Sequence, residues 1–423
     1  AGAARDARGV KQTVEPAVPV RAVQATLFQL GGSRALPVAQ PAGALPGLGG
    51  LTVAASSRLA GDLSAMRDYM RAYSYTCTEQ RISRALALDD AALWADATGR
   101  LAAVLDGNGL ARFFPSDGLP GDSALTAYIL SSAHAARRAL PDEARAAMLD
   151  GLKAYVAGRV RDEGVGFADR TVRRLAAVAA LARYGEATPD MLDAVVVAPN
   201  QWPTSALLDY VGILQRLAGV PEREAKLKTA VGILRARMDL RGTTLNWTTD
   251  ARDRLWWLMV SPDLNAARAL ETLIDEPALR DALPRLARGL MARQKAGRWD
   301  LTTANAWARI ALDRFAERFE SDAVSGRTHV ALAGETRAMA WPKPVPVALP
   351  WPAAPASLQL RQEGAGKPWV TVTSRAALPL KAPLTSGYAV RQTVAPVEQA
   401  VPGRWSRGDV ARVTVTVDAQ ADM

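Results

Sequence analysis

Residues 73–80 read YSYTCTEQ, and this stretch decides how the chain is interpreted, because it holds the only cysteine among 423 residues. A lone cysteine cannot form an internal disulfide, and with two histidines in the chain a zinc site of the usual kind is not expected. Two interpretations of Cys77 stay open: an inert buried thiol, or a thiol with chemistry of its own. Gln80 follows three positions later, and its side-chain carbonyl is open to attack by the thiol across a tight turn.

The residues around Cys77 favour a protected sulfur at the start of a helix. Tyr73, Tyr75 and Cys77 alternate, so an extended segment places all three on one face. In a helix Tyr73 and Cys77 still share a face. Ile82 and Leu86 then begin an apolar stripe of helical spacing. The pattern predicts an aromatic wall beside the sulfur and a turn that leads into a helix.

Residues 75–83, YTCTEQRIS, resemble the thioester segment of the bacterial branch of the alpha-2-macroglobulin family, whose animal relatives include the complement thioester proteins. The animal pattern has glycine on both sides of the cysteine, where this chain has Thr76 and Thr78. Bacterial members tolerate larger residues there. Further matches to the family are spread over most of the chain, at 121–128, 201–206, 298–307 and 405–409.

The resemblance implies roles for five residues. Cys77 and Gln80 would form the thioester bond, and Glu79 belongs to the motif. Tyr73 and Tyr75 would shield the bond from water, together with a contact from the last macroglobulin-like domain of the family. The resemblance implies that this chain contains only the start of that domain, and we therefore expect a more exposed thioester that hydrolyses more readily.

Composition is typical of a folded chain, with 49% apolar and 22% charged residues. No apolar run approaches the ~20 residues that cross a bilayer. Residues 1–15 are polar and do not resemble a signal peptide. Because the sequence starts without methionine and stops in a strand-like stretch, we expect a piece of a longer protein. The net charge of +10 has no Lys/Arg block, and we interpret it as solvated helix faces with no nucleic-acid partner.

Strand-like patterns flank a long helical region. The stretches 20–30, 370–373 and 413–417 alternate like strands, whereas residues 51–321 show helical spacing with prolines at intervals suited to helix pairs. The predicted fold class is therefore mainly α, an α/α toroid inserted into a β-sandwich. The resemblance names these parts: residues 1–52 and 323–376 as a CUB-like β domain, 53–322 as the thioester domain, and 377–423 as the start of an incomplete C-terminal macroglobulin-like domain.

Other conspicuous side chains are interpreted as structural. His134 and His329 have no supporting motif, and neither lies in the segment 190–206, where some complement relatives carry a histidine that redirects the acyl group to hydroxyls. We therefore expect direct attack by amines. Four tryptophans are expected mostly in the core, and three residues ahead of a helix are candidate caps. The tryptophans are Trp202, Trp247, Trp256 and Trp257, and the cap candidates are Asp300, Thr302 and Thr303.

The predicted function is that of a fragment of a protease trap, not an enzyme, with no metal or cofactor. The resemblance implies that cleavage of a bait region outside this chain exposes the thioester, which then acylates lysine amines of the attacking protease. It also implies a periplasmic or cell-envelope location, an anchor, if any, outside this chain, and contacts with the remaining macroglobulin-like domains. The main alternative is a helical interaction or scaffold module with an inert cysteine. A cysteine-nucleophile enzyme would need a histidine base nearby.

Overall fold

The computed structural model describes residues 18–160, 166–195, 197–251, 253–379 and 388–419. The first fifteen residues, whose polar character the sequence analysis used, lie outside this part. So do the rest of the start of the first predicted domain, up to residue 17, and the end of the last one, from residue 420. Among the described residues, no helix combines the length and the apolar character that crossing a membrane requires.

Three strands precede the helical region, and seven strands follow it. The early strands are β1 (Val20–Gln29), β2 (Ser33–Val38) and β3 (Gly49–Ser56). The later strands are β6 (Arg327–Leu332), β7 (Glu335–Ala340), β8 (Val347–Leu349), β9 (Ala356–Glu363), β10 (Trp369–Ala377), β11 (Tyr388–Glu398) and β12 (Val410–Ala419).

The helical region contains twelve described α-helices, a short hairpin and several 3-10 turns. The helices are α1 (Ser64–Ala72), α2 (Thr78–Leu88), α3 (Ala91–Gly99), α4 (Leu101–Val104), α5 (Ser123–Ala135), α6 (Asp142–Val156), α7 (Phe167–Arg183), α8 (Thr204–Arg216), α9 (Arg223–Ala236), α10 (Pro262–Thr272), α11 (Leu283–Ala292) and α12 (Thr302–Phe319). The hairpin is formed by β4 (Met238–Arg241) and β5 (Thr244–Trp247).

Early and late strands are interleaved in two antiparallel four-stranded sheets, in the orders β1-β10-β3-β8 and β2-β9-β6-β7. Apolar side chains of both sheets pack into one core, which includes Val53, Val330, Leu360 and Val370. Close packing at the start of β3 requires glycine, since a Cβ on Gly49 would lie 2.0 Å from a carbonyl oxygen of β10. The segments before and after the helical region are therefore held together by strand pairing.

The predicted fold class is wrong. Of the described residues, 40% are helical and 23% lie in strands, with several small antiparallel sheets, so the chain is a mixed α and β protein rather than a mainly α one. The described residues give no evidence of an α/α toroid inserted into a β-sandwich. The physical reason is that periodicity reports which local element forms, whereas the way elements close on one another depends on contacts distant in sequence. The domain bounds drawn from the sequence stay a prediction.

One contiguous core serves the helical region and positions the stretch that contains Cys77. Helix α12 packs between α2 and α10, and α7 packs between α5 and α8. The expectation for the tryptophans holds for Trp202 and Trp247, which are buried, and fails for Trp256 and Trp257, whose side chains are 72% and 45% exposed.

Candidate functional site

Cys77 is the N-cap residue of α2, and its backbone is extended just before the first helical turn. The Sγ atom accepts hydrogen bonds from the backbone N–H groups of Gln80 and Glu79. An N-cap side chain normally satisfies these free helix donors, so the sulfur fills a standard structural place. The side chain is 7% exposed. Burial raises the pKa of the Cys77 thiol to about 11.

Gln80 is the third residue of α2, and its carboxamide folds back over the same turn. Its Oε1 accepts from the backbone N–H of Cys77 at 3.2 Å, and its Nε2 donates to the hydroxyl of Tyr73 at 3.3 Å. The bond from the Cys77 N–H to Oε1 and the bond from the Gln80 N–H to the sulfur form a capping box. The structure therefore places Cys77 and Gln80 on one turn and brings the hydroxyl of Tyr73, at the end of α1, against it.

The turn is anchored on its other side by Thr78. Its backbone N–H donates to the carbonyl of Phe113 at 2.8 Å, and its hydroxyl donates to the carbonyl of Arg112 at 2.8 Å. Arg81 makes a further bond within the turn, because its Nε donates to the carbonyl of Thr76 at 2.9 Å. These bonds to residues 112–113 and to Thr76 fix the N-terminus of α2, and they thereby fix the positions of Cys77 and Gln80.

The two tyrosines differ in their surroundings. Tyr73 is half-buried, and its ring contacts Tyr69 and Tyr75 edge to face, each with ring centres 5.5 Å apart. Tyr75, although its ring contacts Tyr73, is 68% exposed. Of these three tyrosines, Tyr73 alone is bonded to the Gln80 amide. The sequence analysis treated the rings of Tyr73 and Tyr75 as shields and did not foresee this positioning contact.

Glu79 is buried in the core, and its partners there were not predictable from the sequence. Its Oε1 accepts from the hydroxyl of Ser83 and, at 2.8 Å, from that of Thr302 at the start of α12. The Ser83 hydroxyl in turn lies 2.6 Å from that of Tyr128 on α5. Burial raises the pKa of the Glu79 carboxyl despite these bonds. This network ties the first turn of α2 to two other helices.

The remaining candidates from the sequence do not join this site. The expected cap of α12 is absent: Leu301 occupies the N-cap position without a side-chain bond, and Thr302 serves Glu79 instead. His134 contacts the ring of Tyr184, and His329 lies 2.8 Å from the carboxylate of Glu363. Within the described ranges, no three His, Cys, Asp or Glu side chains are grouped in a way that could hold a metal ion.

The fold is similar to that of solved bacterial alpha-2-macroglobulins. The trypsin-activated protein from Escherichia coli matches with a TM-score of 0.64, over 96% of this chain and 28% of its own length, at 18% identity. The Escherichia coli protein activated by porcine elastase matches with a TM-score of 0.55, over 96% and 37% at 18% identity. Salmonella alpha-2-macroglobulin reacted with methylamine matches with a TM-score of 0.50, over 96% and 27% at 18% identity.

No family model and no curated protein sequence matches this chain. At 18% identity the structural likeness establishes the fold: this chain folds as bacterial alpha-2-macroglobulins do over the matched length, and the resemblance stated from the sequence is confirmed to that extent. The chain spans between 27% and 37% of the length of these proteins.

Proposed function

We propose that this chain is the thioester-bearing part of a bacterial protease trap of the alpha-2-macroglobulin type, with the bond between Cys77 and Gln80. The observation that carries the proposal is the capping box, which holds the buried sulfur and the carboxamide on one turn of α2. The names of the structural relatives add support, since they describe reaction with methylamine and activation by elastase and trypsin.

Thioester formation uses groups already in place on the turn. The Cys77 sulfur attacks the side-chain carbonyl carbon of Gln80, a C–S bond forms, the C–N bond breaks, and ammonia leaves with the thiol proton. The Tyr73 hydroxyl holds the departing nitrogen at 3.3 Å, and the Cys77 N–H polarises the carbonyl oxygen at 3.2 Å. Oriented donors of this kind stabilise the negative charge that develops on the oxygen.

In cleavage by an amine, the Cys77 sulfur is the leaving group rather than the attacking group. The amine nitrogen attacks the Gln80 carbonyl carbon, a C–N bond forms, the C–S bond breaks, and a proton of the amine passes to the sulfur. An amide is more stable than a thioester, and burial, which raises the pKa of the Cys77 thiol to about 11, keeps the released sulfur protonated at neutral pH. Acylation of a target is then irreversible in practice.

The proposal extends to the biological setting. Lysine amines of an attacking protease would be the targets, the chain would act once rather than as an enzyme, and no cofactor would take part. Contacts with further macroglobulin-like domains would cover the bond until cleavage of a bait region elsewhere releases it. An extracytoplasmic site of action, in the periplasm or cell envelope, fits the bacterial relatives.

Intact-mass measurement tests the thioester directly. Formation lowers the mass of the peptide containing Cys77 and Gln80 by one ammonia, and methylamine then leaves N-methylglutamine at position 80 with a free thiol. The Cys77→Ser variant keeps a hydrogen-bonding N-cap and is the matched control, because its oxygen ester, if formed at all, does not expose a thiol. A wild-type mass that equals the encoded mass before and after methylamine would leave the scaffold module with an inert cysteine as the function.

A further inference from the structure

A basic cleft lies between the edge of the first sheet and the helical region, away from the site on α2. Two adjoining cavities, of about 410 and 260 Å³, share Gln29, Arg280 and Phe319 in their walls. Strand β1 forms one wall, the start of α11 the opposite wall, and the end of α12 the floor. The volume of the larger cavity is in the range of ligand-binding sites.

The cleft carries a surplus of positive charge. Five basic side chains and two carboxylates, Asp281 and Asp322, line it, so the lining carries a net charge of +3. The basic side chains are Arg34, Arg280, Arg285, Arg318 and Lys367. Arg318 also lies 4.0 Å from Asp275, which is not part of the cleft, whereas the other four have no carboxylate within salt-bridge distance in the described part of the chain. A cleft lined by charge of one sign concentrates an oppositely charged partner.

One wall of the cleft is an unpaired strand edge. Within the described part of the chain, β1 pairs only with β10, so its other edge presents backbone N–H and C=O groups that have no strand partner there. Residues Thr26 and Gln29 of that strand border the larger cavity, and the buried rings of Phe28 and Trp369 supply apolar surface beside it. An extended peptide that adds to such an edge gains main-chain hydrogen bonds, while its alternate side chains reach the adjoining pockets.

We propose that this cleft binds an acidic, extended peptide segment of a partner protein, which lengthens the first sheet at β1 and places carboxylates against Arg280 and Lys367. The charge surplus selects acidic side chains, and the strand edge selects an extended backbone. The function of the site is recognition, and it does not depend on the thioester of Cys77.

Fluorescence anisotropy with a short fluorescein-labelled peptide of alternating glutamate and valine tests the proposal on the full chain. We expect saturable binding that weakens as salt is added, and about tenfold weaker binding to Arg280→Glu. The matched control is Arg235→Glu on α9, which makes the same charge change on another exposed surface and leaves affinity unchanged. Lys367→Glu repeats the test on a second wall, and thermal melting establishes that each variant is folded.

Two competitor ligands test the strand edge and the chemistry of the partner. The same peptide with proline at alternate positions keeps its charges and cannot form a ladder, so we expect it to bind at least about tenfold more weakly. Equal binding of the proline peptide, or of a single-stranded oligonucleotide, would overturn the proposal, because either result means that the cleft attracts any polyanion. Unchanged affinity of folded Arg280→Glu and Lys367→Glu would overturn it as well.

Discussion

Replacing Tyr73 by phenylalanine separates two functions of this residue, positioning and shielding. The hydroxyl accepts one of the two hydrogen bonds that hold the Gln80 carboxamide over the sulfur, at 3.3 Å, while the ring stands beside the turn. Phenylalanine removes the bond and keeps the ring. A neutral hydrogen bond contributes ~0.5–1.5 kcal/mol, which corresponds to a roughly two- to twelvefold loss of the productive amide orientation.

The expected result is slower thioester formation with little change in its later cleavage. The bond to Tyr73 involves the amide nitrogen, which leaves as ammonia, so the finished thioester no longer depends on it. The assay follows the loss of ammonia by mass spectrometry after refolding from urea, and then measures methylamine cleavage of the formed bond. Tyr73→Ala, which also removes the ring, should in addition accelerate hydrolysis.

Tyr69→Phe is the matched control, because its ring makes the same edge-to-face contact with Tyr73 but its hydroxyl is not bonded to Gln80. The reasoning is refuted if Tyr73→Phe forms the thioester at the wild-type rate, or if Tyr69→Phe slows formation by the same factor. A Tyr73→Phe protein that forms the bond slowly and also loses it to water quickly would show that the hydroxyl, not the ring, excludes water.

Three further predictions concern the same turn. In methylamine-treated folded protein, Cys77 should react with iodoacetamide at pH 8 roughly a hundredfold more slowly than in urea, because burial raises the pKa of its thiol from 9.0 to about 11. The stability that the folded state owes to this raised pKa is present below pH 9 and is lost as pH rises through about 11. Thr302→Val removes a donor to the buried Glu79 carboxyl and should lower the free energy of unfolding in urea by ~1–3 kcal/mol, whereas equal stability would contradict the network. Methylamine should be incorporated at Gln80 in preference to glycerol, because no histidine relay is present to activate hydroxyls, and equal incorporation of the two would argue against direct attack.

Local patterns in the sequence predict some of the strands, but residues 51–56, which the sequence analysis placed in the helical region, lie in β3. The alternation of valine and threonine at 413–417 predicts a strand that the structure extends to Val410–Ala419, and the stretch 370–373 lies within β10. The hairpin β4–β5 was missed, since its strands are only four residues long and lie inside a helical region, with Gly242 at a φ of +61° in the turn. Short strands carry too few residues for a period to appear.

The site was predictable only where its residues are neighbours in sequence. Cys77 and Gln80 are three residues apart, so their spacing alone places them on one turn. The partners of Glu79 are distant: Thr302 lies 223 residues away, and Tyr128 lies 45 residues from Ser83. The fold class failed for the same reason, because the arrangement of helices and sheets depends on such distant contacts. An alternation or a spacing carries no information about them.

The interleaved sheets have a consequence for how the chain is made. Gln29, at the end of β1, bonds to the carbonyl of Lys367, just before β10, and 338 residues separate the two. At ~5–20 residues per second on the ribosome, the first strand therefore waits roughly 20 to 70 seconds for its neighbour, while the helices between them have time to form. During that interval both edges of β1 are open, and a factor that covers an extended, partly apolar segment would protect the newly made protein from aggregation.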